Sequence, residues 1–155
     1  TSDKHGWARF VSMQDQLNLI EREEEREMLP LCIDQGIGVI PWSPLARGRL
    51  ARPWGESTER MQTDIYGKTL YLRDEAANQA INAVVAELAA ARGVKMAQVA
   101  LAWVLQKQPV TAPIVGVTKL GQLEDAIGAL EVTLSAEEVA RLEAPYRSTS
   151  AASFR

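Results

Sequence analysis

Seven consecutive residues, Trp42-Ser43-Pro44-Leu45-Ala46-Arg47-Gly48, bring together side chains suited to holding a ligand. The flat indole face suits stacking on a planar ring, and a hydroxyl beside backbone N–H groups suits a phosphate. They follow the apolar run Ile37-Gly38-Val39-Ile40-Pro41, which reads as a buried strand. Trp42 and Ser43 therefore stand at a strand's carboxyl end, where ligands bind in α/β proteins. Four arginines, Arg47, Arg49, Arg52 and Arg60, crowd the following stretch and are suited to one small anion rather than to a polymer. The plainer readings are a core tryptophan, a turn hydroxyl and solvated charges.

Two further groups have similar potential. Gln14 closes an earlier strand-like run and offers both a donor and an acceptor. Gly116, Thr118, Lys119 and Gln122 follow a third apolar run and precede a helical pattern, an arrangement that points backbone N–H groups at an anion. The plainer reading is an ordinary helix start with Thr118 as its N-cap. The acidic run Glu21–Glu27, interrupted by Arg22 and Arg26, reads as a solvated face rather than a metal site. His5 beside Gly6 reads as a helix-end residue, and Cys32 as a buried structural thiol.

Strands and helices must alternate to place these groups. A strand is expected over 9–13, then a polar loop, 14–18. A helix follows over 23–35, with Pro30 kinking it or marking its true start and Gly36 ending it. The second strand covers 37–42, apolar on both faces as in a covered parallel sheet. A long loop, 43–73, precedes an amphipathic helix over 75–92, capped by Asp74 and ended by Gly93. A helix over 96–106, a strand over 112–117 and a helix over 119–130 come next. Ser135-Ala136-Glu137-Glu138 is a capping box that opens a last helix to about Glu143. The pattern is a βα series with a parallel sheet.

The 155 residues are enough for one domain with a real core. Net charge is −3 from 17 basic and 20 acidic residues, which gives no broad cationic face for nucleic acid. No apolar run approaches a membrane span, and the N-terminus lacks the order of a signal peptide. One cysteine excludes an internal disulfide and fits a reducing, cytoplasmic setting.

The sequence resembles the aldo/keto reductases, in the branch similar to potassium-channel beta subunits and related bacterial reductases. The resemblance runs from Gly6 to Tyr146. It rests on Gln14 with Asn18, on Trp42-Ser43-Pro44-Leu45-Ala46 with Gly48, on Gln98-Val99-Ala100-Leu101-Ala102-Trp103, and on Pro113-Ile114-Val115-Gly116 followed by Thr118 and Gln122-Leu123. It implies a partial (β/α)8 TIM barrel made of the last three βα units, strands 6 to 8, plus a C-terminal helix. Residues 1–146 would be the C-terminal part of that domain, and 147–155 a disordered tail. A whole barrel needs about 250 residues, so strands one to five and the family's Asp, Tyr, Lys and His tetrad are expected to be absent from this chain.

The resemblance also implies NADP(H) as cofactor and a small carbonyl compound as the complete enzyme's substrate. Gln14 would bond the nicotinamide carboxamide and Trp42 would stack on the nicotinamide ring. Ser43, Pro44, Leu45, Ala46, Arg47 and Gly48 would line the pyrophosphate, with Arg60 folding over it. Gly116, Thr118, Lys119 and Gln122 would take the 2′-phosphate. Asp125-Ala126 stands where relatives often carry Glu-Asn for the adenine, so Asp125 is a shorter version of that contact. With no tetrad residue assigned and no metal expected, the chain would bind cofactor but not turn over alone. The other readings are a non-catalytic NADP-binding or interaction module, and a truncated gene product without function. Strand edges left unpaired predict a homo-oligomer or a partner that supplies the missing half.

Overall fold

The computed structural model describes residues 1–56, 70–71 and 74–148. Arg60 and most of the second half of the expected long loop lie outside them. Three parallel tracks run through the middle of the molecule. β1 (Ser12–Met13) pairs with β2 (Gly38–Val39), with Ser12 opposite Gly38 and Met13 opposite Val39. The third track touches the middle one through isolated bridges, at Val39 of β2 to Val110 and beyond β2 at Trp42 to Ile114, and Gln16 bridges Trp42 on the other side.

The order of the strands is as expected, but their lengths are not. The run over 9–13 pairs only at Ser12–Met13, and the run over 37–42 only at Gly38–Val39 with a bridge at Trp42. The stretch 112–117 forms no continuous ladder among the described residues. The cause is visible at the ends. Phe10 and Val11 are 86 % and 80 % exposed, so strand-forming side chains there have nothing to pack on. Close approach of the middle and third tracks depends on Gly38, where a Cβ would lie 2.7 Å from Thr111 Oγ1.

The helix expected over 23–35 divides into a 3-10 turn, Glu23–Glu25, and α2 (Met28–Gln35), after the short α1 (Ser2–His5). Pro30 is the third residue of α2, where a missing N–H costs nothing because first-turn donors have no intrahelical acceptor. His5 does end α1, and its ring stacks on Trp7 at 4.9 Å. α3 (Glu75–Arg92) opens with Asp74 Oδ1 accepting the Ala77 N–H at 3.0 Å. Its inner stripe of Ile81, Val85, Leu88 and Ala89 packs on α4 (Met96–Leu105), which is buried on nearly every side. α5 (Leu120–Gly128) runs into a 3-10 turn, Ala129–Glu131. α6 (Ala136–Glu143) carries the expected reciprocal capping box. Glu138 N–H donates to Ser135 Oγ at 3.2 Å, and Ser135 N–H donates to Glu138 Oε2 at 2.7 Å.

The acidic run is a solvated face only at Arg26 and Glu27, which are exposed; residues 21–25 are partly buried. Arg22 forks onto Glu25 at 3.1 and 2.7 Å and reaches Glu143 at 2.9 Å. Lys107 Nζ and Trp103 Nε1 both donate to Glu143, at 2.6 and 2.9 Å. Tyr146 donates to Glu23 at 2.8 Å. The partners come from α4, the turn after it and the end of α6, all remote in sequence from the glutamates. No single helix among the described residues is long and apolar enough to cross a membrane.

Candidate functional site

Immediately beyond β2 the chain winds into a tight turn over 43–50. Ser43, Ala46 and Arg47 have φ of 56°, 47° and 56°, left-handed values that cost a non-glycine residue about 1–2 kcal/mol each. Backbone bonds from Ala46 to Ser43 (2.9 Å), Gly48 to Leu45 (2.9 Å) and Leu50 to Leu45 (3.3 Å) hold the winding, and the fully buried Ala46 and Leu50 side chains anchor it. Gly48, at φ 93°, leaves room for the Arg52 guanidinium, which would lie 3.2 Å from any Cβ placed there. Strain kept at a strand end is where binding sites are found.

Two asparagines, Asn18 and Asn82, pin this turn, and a third, Asn78, holds Tyr71 beside it. Asn18 Oδ1 accepts the N–H groups of Ile20 and Glu21, both at 2.9 Å, which fixes the direction of its amide. Its Nδ2 donates to the Ser43 carbonyl at 2.9 Å and to the Tyr71 hydroxyl at 3.2 Å. Asn82 of α3 donates to the carbonyls of Arg49 and Arg52 at 2.6 and 2.8 Å. Asn78, one helical turn earlier, donates to the Tyr71 carbonyl at 3.3 Å. Tyr71 is itself buried; its hydroxyl also meets Gln16 Nε2 at 2.8 Å and Ser43 Oγ at 3.1 Å, and the Arg49 guanidinium lies 5.0 Å over its ring.

The residues singled out from sequence fall into two groups along the same end of the tracks. Trp42 is half-buried and central, its N–H bonded to the Asp15 carbonyl at 2.8 Å. Ser43 lies beside it, and Gln14 is exposed next to β1. Pro44 and Ala46 are buried and Leu45 packs on the core, so their side chains serve the turn and their backbone faces any ligand. Arg47 is half-buried. The second group begins two residues after Ile114. Gly116, Thr118 and Lys119 are exposed there, and Gln122 Oε1 accepts from the N–H groups of Thr118 and Lys119 at 2.9 and 3.3 Å. The N-cap is Lys119 rather than Thr118. Asp125 pairs with Lys95 at 2.7 Å.

Tyr71, Asn78, Asn82 and Asp15 were not among the residues picked from sequence. The asparagines had a signal, since two amides four residues apart interrupt the apolar stripe of α3 and must find partners there. Asp15 is 5 % exposed, and neither carboxylate oxygen has a hydrogen-bond partner. Burial, followed by the nearby Glu24, pushes its carboxyl above the usual range, against a smaller opposing contribution from its own N–H. Burial, and then Asp15, likewise push the Cys32 thiol up.

The donor set suits a phosphate-bearing ligand with a planar ring: a hydroxyl, a wound backbone, arginines, a half-exposed indole and an exposed amide. The sequence profile of the aldo/keto reductase family matches residues 2–147. The chain is 48% identical to versiconal hemiacetal acetate reductase of Aspergillus parasiticus over 92% of its own length and 42% of the relative's. It is 49% identical to a putative aryl-alcohol dehydrogenase of Schizosaccharomyces pombe over 94% of its length and 41% of the relative's. An aldo-keto reductase of Alternaria alternata is 40% identical over 95% and 39%. The chain thus spans about two fifths of the length of the curated relatives it matches.

Proposed function

This chain belongs to the aldo/keto reductase family, and we propose that it is the cofactor-holding portion of an NADPH-dependent carbonyl reductase. The observation that carries the reading is the wound turn after β2, where three non-glycine residues are held left-handed beside Trp42. A fold keeps such strain where a fixed backbone must meet a ligand. In this reading the three tracks are the sixth to eighth strands of a (β/α)8 barrel, from the branch similar to potassium-channel beta subunits. The Asp, Tyr, Lys and His tetrad then belongs to the portion of the relatives that this chain does not match. A cytoplasmic setting agrees with the buried thiol of Cys32.

Gln14 would bond the carboxamide, and Trp42 would stack on the nicotinamide. Ser43 and the backbone from Pro44 through Leu45, Ala46 and Arg47 to Gly48 would hold the pyrophosphate, with Arg60 as a further cation. Gly116, Thr118, Lys119 and Gln122 would receive the 2′-phosphate, and Asp125 would border the adenine. When bound, the cofactor supplies hydride. This chain's residues orient the cofactor and exclude water, and none of them is assigned the proton transfer. A small aldehyde or ketone is the substrate class this implies for the complete enzyme.

Titration of NADPH against tryptophan fluorescence tests the reading, with Trp42→Phe to separate Trp42 from the other three tryptophans. Quenching in the wild type and its loss in the variant are expected, together with no NADPH oxidation on addition of aldehydes. Absence of quenching at millimolar NADPH would overturn the cofactor assignment. Steady turnover by the chain alone would overturn the division of labour.

A further inference from the structure

We propose that Tyr71 is a positioning residue that commits the Ser43 hydroxyl to donate its proton outward, to an anionic group of the ligand. The inference rests on the cofactor reading for the identity of that ligand, but its geometric basis is independent. The Tyr71 hydroxyl oxygen receives two amide donors, Gln16 Nε2 at 2.8 Å and Asn18 Nδ2 at 3.2 Å. The Asn18 amide cannot be turned round, because its Oδ1 already accepts two backbone N–H groups at 2.9 Å. A phenol has two acceptor positions and one proton. With both amides donating, the acceptor positions are filled and the proton goes to the remaining neighbour, Ser43 Oγ at 3.1 Å.

The direction of the chain is therefore set: amide to phenol to serine. Ser43 accepts from Tyr71 and keeps its own proton. Among the described residues no acceptor takes that proton, and Ser43, at φ 56°, is the first left-handed residue of the wound turn. Each bond in such a chain polarises the next, so a serine that accepts from a phenol is a stronger donor. The Arg49 guanidinium over the Tyr71 ring, at 5.0 Å, draws electron density from the phenol and works in the same direction. A hydroxyl held in this state favours a phosphate oxygen, an acceptor with no proton to offer.

NMR of the ligand-free chain and NADPH titration of three variants test this. In the wild type the Tyr71 hydroxyl proton is expected to be protected from exchange and to show a cross-peak to the Ser43 β protons. Tyr71→Phe keeps the ring under Arg49 and is expected to weaken NADPH binding about tenfold, the scale of one hydrogen bond to a charged acceptor. Ser43→Ala, which leaves the amide donors to Tyr71 intact, should lose a similar factor. Adding Tyr71→Phe to Ser43→Ala should then cost less than a further twofold. A merely structural tyrosine would weaken binding in both backgrounds, and that result overturns the proposal, as does a hydroxyl cross-peak to the Gln16 side chain instead of Ser43. Failure of the wild type to bind NADPH overturns the cofactor reading but not the proton direction, which the ligand-free spectrum decides by itself.

Discussion

The Trp42 N–H donates to the Asp15 carbonyl at 2.8 Å, so the bridge that seats the indole is built on a residue whose own carboxylate is buried without a partner. An uncompensated buried charge costs stability, and Asn in its place keeps the shape without the charge. Asp15→Asn is expected to stabilise the chain by about 1–3 kcal/mol at neutral pH, or roughly 2–4 °C in Tm per kcal/mol for a domain of this size. The sign with pH follows from the raised carboxyl. In the wild type the penalty is absent below the ordinary value of 3.8 and grows as pH rises through the raised native value. Urea melts from pH 4 to 8 should show a declining component that Asp15→Asn lacks. A variant no more stable than wild type at pH 8 would mean that water or relaxation satisfies the carboxylate.

Glu143 is the junction of the polar cluster. Arg22 and Lys107 both pair with it, and the Trp103 indole N–H rests on it at 2.9 Å. Removing a partner from such a cluster costs more than the pair contributes, because the remaining cations stay half-buried. Glu143→Ala is expected to destabilise by about 2 kcal/mol, a figure reduced from that of fully buried pairs for partial exposure. Glu143→Gln, which keeps an acceptor for Trp103, should cost about half as much. Equilibrium urea unfolding of the two variants checks the order; equal costs would show that charge alone matters.

What could be read from the sequence was what local chemistry decides. Asp74, Gly36, Gly93 and the Ser135–Glu138 box are caps, and caps are set by neighbours within four residues. The apolar run ending at Trp42 also marks where the strand gives way to irregular chain at Ser43. Its winding was not legible, because Ala46 and Arg47 adopt left-handed backbone that their residue types disfavour. Nor was Tyr71, which meets Ser43 across 28 residues of chain. The inward partners of the acidic run are hidden for the same reason: local charge pattern does not reveal Lys107 and Glu143 closing on Glu25 and Arg22. Strand lengths depend on packing neighbours, and the exposed Phe10 and Val11 show how good strand formers fall outside the ladder without them.

Asn82 joins α3 to the arginine stretch through two carbonyls, Arg49 at 2.6 Å and Arg52 at 2.8 Å. Asn82→Ala leaves both carbonyls short of a donor in a buried place. The expected cost is about 1–3 kcal/mol, with a second effect beyond stability. Arg49 and Arg52 should lose their fixed positions, so NADPH should bind more weakly and its affinity should fall less steeply with added salt than in the wild type, because fewer cations meet its phosphates. Fluorescence titration at two ionic strengths measures that. Unchanged salt dependence would show that Asn82 serves packing alone.

The Arg92–Glu138 pair ties the end of α3 to the start of α6. Arg92 donates to the Glu138 carboxylate, and the Ser135 N–H adds a second donor, so that the carboxyl is held down to about 2 from an ordinary 4.5. Glu143 is also held below 4.5. Burial alone would raise it, but the Lys107 and Trp103 hydrogen bonds and the charges of Lys107 and Arg22 outweigh that. A depressed carboxyl contributes stability that is complete above its unfolded value and is lost as pH falls toward the native one. Thermal melts should therefore show Tm falling from pH 4.5 toward pH 2, opposite in sign to the Asp15 component. Glu138→Gln retains an acceptor for the Ser135 N–H and removes the titrating group. It should flatten that fall in part, leaving the remainder to Glu143, and the double variant with Glu143→Gln should flatten it further. A Tm profile between pH 2 and 4.5 identical in wild type and Glu138→Gln would show that the exposed pair is screened and contributes nothing to acid unfolding.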